Sequence, residues 1–150
     1  MRRGIAAATA TGSRAWESFY LGLVAEALAF GGEIEEGLEE LEKALARSTE
    51  SGEMWSDAEL HRLRGDLVCR LPRPDPDGAE RSFRAALSIA REQGTKGFEL
   101  RAATSLARLL GDDGRREEAR ELLAPAYGWF TEGFDSADLK DAQALLAAFA

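Results

Sequence analysis

Glu59, Arg62, Asp66 and Arg70 follow one another at spacings of three and four residues, and Arg101, Thr104 and Arg108 follow at the same spacing further on. Arginines so placed could clamp a peptide carboxylate or an acidic side chain through forked hydrogen bonds. The competing use is internal: Arg62 and Asp66 stand one helical turn apart and would neutralise each other. Other chemistry finds little support. His61 as a general base needs a nucleophile as well as an orienting carboxylate, and Asp57 supplies only the latter. Cys69, between Val68 and Arg70, reads as a buried structural thiol. One histidine and one cysteine do not make an ordinary zinc site. No phosphate-binding G-x-x-x-x-G-K-[ST] run occurs; Gly111-Asp112-Asp113-Gly114-Arg115-Arg116 has the wrong composition. The chain by itself is therefore expected to be non-catalytic, with no cofactor and no metal.

These residues sit in amphipathic helical segments divided by glycines and prolines. The spacing predicts helices over 13–30, 33–49, 53–71, 78–93, 98–111, 115–131 and 136–149, with residues 1–11 as the end of an earlier helix. Ser13 and Asp77 are the expected N-caps of the first and fourth. Pro72, Pro74 and Pro76 should keep their stretch out of helix. Trp16, Trp55 and Trp129 fall in apolar stripes and are expected in the core. The glutamates of the second helix, from Glu33 to Glu42, read as a solvated face.

Three copies of one pattern are present. Gly37, Ala79 and Ala119 lie 42 and 40 residues apart, and Leu41, Phe83 and Leu123 each follow four positions later. Small residues let helices cross closely, and the large ones fill the gap to the next pair. Gly32 and Gly114 stand at the reversals, where a positive φ or tight clearance is expected. A period near forty is that of an α-helical repeat array. The pattern resembles the tetratricopeptide repeat with lengthened helices or linkers, the middle copy carrying a loop insertion from Arg73 to Asp77. The expected fold is all-α: a right-handed α-α superhelix of about seven helices plus an N-terminal remnant, forming one domain over 1–150. Its repeats are about 13–50, 55–94 and 98–132, closed by a capping helix at about 136–149. Ala137, Leu139 and Leu145 of that helix should cover the apolar end.

Longer stretches are more particular. Glu59-Leu60-His61-Arg62-Leu63-Arg64-Gly65-Asp66-Leu67, Glu99 to Leu109, and Tyr127 to Leu139 resemble the C-terminal tetratricopeptide region of bacterial multidomain signalling ATPases, including those with class III adenylate/guanylate cyclase domains. The resemblance implies that the first helix of each pair lines a concave groove. Alignment by the repeat anchors puts Phe19 and Glu26 there from the first pair. The second pair adds Glu59, Arg62, Asp66 and Arg70, and the third Arg101, Thr104 and Arg108. The implied function is a protein-interaction or regulatory module holding a protein or peptide segment. The alternative is the regulatory C-terminal tail of a larger cyclase or ATPase.

Composition narrows the setting. Hydrophobic residues make up 45% and charged ones 31%, and the net charge is −8, which argues against a nucleic-acid partner. A single cysteine fits a reducing compartment. The apolar run after Met1-Arg2-Arg3 is short and continues into an amphipathic pattern, so no export signal is expected, and no stretch is long enough to span a membrane. The expected location is cytoplasmic. Residues 1–12 read as the second helix of a preceding repeat, so the chain is expected to be a fragment or a retained tail. Ile5, Trp16, Phe19 and Leu23 would then be exposed at an uncapped end and favour self-association.

Overall fold

A computed structural model describes residues 16–150. Seven α-helices and no strands are found among them: α1 (Glu17–Phe30), α2 (Ile34–Ser51), α3 (Asp57–Cys69), α4 (Pro76–Gln93), α5 (Lys96–Asp112), α6 (Arg116–Gly128) and α7 (Ala137–Ala148). A short 3-10 turn, Met54–Ser56, leads into α3. Each helix packs on the next in sequence. The odd-numbered helices also touch one another in order, α1 on α3, α3 on α5 and α5 on α7. They form a row, with α2, α4 and α6 flanking it.

The expected all-helical fold is present, with helix ends within four residues of those expected. Gly32 and Gly114 have φ of 90° and 82° at the reversals, a left-handed backbone that glycine adopts without steric cost. Asp75, not Asp77, caps α4: its carboxylate accepts the Gly78 N–H at 2.9 Å. Pro76 consequently lies inside the first turn of α4. That position tolerates proline because its missing N–H has no acceptor there. The Ser13 cap and the helix end at 1–11 fall outside the described residues.

The small anchors work through close approach. A Cβ at Gly37 would stand 2.9 Å from the Ala25 carbonyl oxygen on α1 and 2.9 Å from Leu67 Cδ2 on α3. Gly65 on α3 is covered by the Phe83 ring of α4. Ala79, Ala119, Leu41, Phe83 and Leu123 are all buried. Two apolar clusters result: Leu41, Leu60, Leu63 and Leu67 with Ala25 and Ala29 fill the first, and Phe83, Leu100, Leu106, Leu110 and Leu123 centre the second. Leu38 packs against both.

The tryptophans depart from expectation. Trp16, Trp55 and Trp129 are 50%, 37% and 57% exposed. On α1 the buried positions are the small ones, Ser18, Gly22, Ala25 and Ala29, together with Val24. Close packing against α2 and α3 selects that face and turns the aromatics outward. Trp16, Phe19 and Trp55 pack on one another, with Trp55 5.0 Å from Trp16 and 5.2 Å from Phe19 between ring centroids. At the other end Leu139 and Ala142 of α7 are buried and Phe149 lies over Gly111, while Ala137 is exposed and does not cover the apolar end as expected. No described helix is long and apolar enough to cross a membrane.

Candidate functional site

The row of odd-numbered helices carries two adjoining clefts. The first lies between α1, α3 and the start of α5. Phe19, Leu23, Leu60, Leu63 and Phe98 give it an apolar floor, and Glu26, Glu59 and Arg101 stand at its edge. Its volume is about 120 Å³. The second, about 220 Å³, lies between α3, α5 and α7 and is polar, with Arg62, Asp66, Arg101, Thr104, Arg108 and Asp138 among its walls. Arg101 borders both clefts.

Helical register explains this gathering. Glu59, Arg62 and Asp66 recur every three or four residues along α3, so they share one face. Arg101, Thr104 and Arg108 do the same on α5. Contact between α3 and α5 brings the two faces together.

Arg62 is the best-held member. Its Nε donates to Glu59 Oε2 at 2.9 Å and its Nη2 to Glu59 Oε1 at 2.8 Å, a two-bonded fork. The remaining Nη1 bonds Asp66. Arg62 and Glu59 are both only 7% exposed. Burial by itself disfavours the Arg62 charge, but hydrogen bonds and the charge of Glu59, then Asp66, outweigh it and raise its pKa. Burial is also the largest influence on Asp66, whose carboxyl is pushed up despite Arg62. The two directions are compatible because Glu59, and not Asp66, is the principal partner of Arg62.

The α5 arginines are also paired. Arg101 Nη1 lies 2.8 Å from Glu59 Oε1 and its Nε 3.8 Å from Asp138 Oδ1. Arg108 Nη2 donates to Asp141 Oδ1 at 2.7 Å. The Thr104 hydroxyl is turned back onto its own helix, donating to the Leu100 carbonyl at 2.8 Å.

Eight of the nine residues expected in the groove therefore line one cleft or the other. Phe19, Glu26 and Glu59 belong to the apolar cleft, Arg62, Asp66, Thr104 and Arg108 to the polar one, and Arg101 to both. Arg70 lines neither; its Nη2 donates to the Ala29 carbonyl at the end of α1, 2.6 Å away. The pairing of Arg62 with Asp66 one turn on is present, and Arg62 is also buried in the Glu59 fork. Asp138 and Asp141 were not anticipated. Their spacing of three on α7 marks a common polar face, but only the docking of α7 on α5 directs that face into the cleft.

The remaining reactive side chains stand apart from both clefts. His61 is half-buried, and its pKa is lowered chiefly by burial, with Asp57 opposing and Arg64 assisting. Asp57 is hydrogen-bonded by Ser48. Cys69 is half-buried where a buried thiol was expected, and burial, then Asp66 and Asp112, push its pKa up, away from nucleophilic thiolate. Among the described residues no group of three or more acidic, histidine or cysteine side chains could hold a metal.

No protein-family model matches the chain, and no curated protein matches it.

Proposed function

We propose that the chain is a tetratricopeptide-type module, a right-handed superhelix of helix pairs, that receives a partner segment along the row of α1, α3, α5 and α7. The observation that carries this reading is the adjacency of the two clefts on that row, sharing Arg101. An apolar floor beside ordered polar side chains suits anchoring one large side chain while fixing the direction of the chain bearing it. Within a longer polypeptide, the same row would couple a partner to the cyclase or ATPase that the sequence resembles.

Leu23→Gln and Phe98→Gln test the groove, because both side chains line the apolar cleft and neither is fully buried. In affinity capture from extracts of the native cells, a protein retained by the wild-type chain should be lost with both variants while helicity is unchanged. Retention by both variants would remove the groove as the binding site.

A specific observation also favours self-association at the α1 end. Trp16, Phe19, Tyr20 and Trp55 form a partly exposed aromatic cluster there, the kind of surface that associates. Ile5 lies outside the described residues. A solution mass that stays monomeric at high concentration would count against this.

A further inference from the structure

We infer that the segment received by the groove is cationic: a peptide that places a large apolar side chain in the cleft floored by Phe19, Leu23 and Phe98, with lysine or arginine beside it. The inference rests on the groove reading above and adds the charge of the partner to it.

Two observations carry it. First, every guanidinium on the groove walls is already engaged by a carboxylate of the chain: Arg62 by Glu59 and Asp66, Arg101 by Glu59, and Arg108 by Asp141. An acidic peptide would have to displace these internal partners, and at Arg62 it would have to do so in a buried fork. Arginines on two helices suggest a carboxylate clamp only while their partners are unknown.

Second, charge is left over with the opposite sign. Three arginines face Glu26, Glu59, Asp66, Asp138 and Asp141 across the two clefts, leaving an excess of two negative charges. Glu26 is exposed at the rim of the apolar cleft and forms no ion pair among the described residues. The net charge of −8 extends the same bias beyond the site. A cationic residue next to the anchoring side chain meets complementary potential, and an acidic one meets repulsion that suppresses the wrong partner.

The test uses the full 150-residue chain and two fluorescein-labelled nonapeptides. Both share a leucine–phenylalanine core; one is flanked by lysines and the other by glutamates. Anisotropy at low ionic strength should show the lysine-flanked probe binding at least about tenfold tighter. Roughly 1 M salt, which shortens the screening length to about 3 Å, should erase most of that preference. Glu26→Gln should reduce the preference several-fold with helicity unchanged, and Phe98→Gln should weaken the lysine-flanked probe.

Equal binding of the two probes, or tighter binding of the glutamate-flanked one, overturns the charge inference while leaving a peptide groove in place. Binding of neither probe overturns the charge inference and also counts against the groove. A lysine preference unaffected by both Glu26→Gln and Phe98→Gln places the cationic site elsewhere on the acidic surface and overturns the inference too.

Discussion

Arg101 on α5 reaches Glu59 on α3 at 2.8 Å, and Glu59 is the same carboxylate that holds Arg62 in a two-bonded fork. One buried glutamate thus joins two helices of the row and holds Arg101, which borders both clefts. The arrangement ties the groove's polar wall to the stability of the helix stack.

Removing Arg62 should therefore be costly. Arg62→Ala leaves Glu59 buried with Arg101 as its remaining ionic partner, and breaking a buried pair from one side costs about 3–5 kcal/mol. Arg108→Ala removes a half-exposed pair with Asp141 and should cost about 0–1 kcal/mol. Urea unfolding of the two variants checks the contrast. Equal, small losses would mean that the fork contributes little.

Close approach at the α3–α4 crossing makes a second prediction. Gly65→Ala puts a methyl group into the Phe83 ring, and overpacking of this kind costs about 1–3 kcal/mol. Gly97 in α5 faces open space, so Gly97→Ala should be neutral or stabilise by about 0.5–1 kcal/mol through the helix preference of alanine. Thermal unfolding should move the two midpoints in opposite directions or leave Gly97→Ala unchanged.

The corrected cap of α4 is testable in the same way. Asp75→Ala removes the acceptor for the Gly78 N–H and should cost about 1 kcal/mol. Asp77→Ala removes a first-turn charge without removing the cap, so its loss should be smaller. The reverse order would restore Asp77 as the cap.

Acidification should act first through His61. Its folded pKa lies below the ordinary 6.5, chiefly because burial disfavours the imidazolium. The folded state thus takes up its proton later than the unfolded chain. Stability is full above 6.5, falls as pH drops through that value, and levels off below the depressed folded pKa. Glu99 adds a later step. Burial opposes its ionisation, but the Lys96 and Arg91 hydrogen bonds outweigh it and hold its pKa below 4.5. That contribution is present above 4.5 and disappears as pH falls through the lowered folded value. Melting temperatures from pH 8 to about 2 should show both losses, and His61→Gln should remove the first alone.

The helices were legible in the residues because their signals are local. Gly32, Gly52 and Gly94 end or separate segments whose apolar spacing already marks them as helical, and a positive φ at each needs no distant contact. The spacing of Gly37, Ala79 and Ala119 also carried information about packing, since a small residue at a helix crossing leaves a periodic trace. The α4 cap was misplaced by two residues because Asp75 and Asp77 are chemically alike, and only the turn geometry distinguishes them.

Which residues share a helix face was legible, but the charge of the clefts they line was not. Spacing put Glu59, Arg62 and Asp66 on one face of α3, and Arg101, Thr104 and Arg108 on one face of α5. Arg62 pairs with Glu59 and Asp66 of its own helix, as its spacing allows, but whether Arg101 and Arg108 point to a partner or to carboxylates of the chain depends on how the helices cross. So does the placement of Asp138 and Asp141, which reach the cleft through the docking of α7. Trp16, at the start of α1, makes the same point: an apolar stripe specifies a face that prefers burial, but α1 buries its small residues because they permit close approach to α2 and α3. Local spacing determines helices, turns and shared faces, since those follow from backbone geometry within a few residues. Pairing between helices, exposure and the net charge of the two clefts are decided only when faces far apart in the chain meet.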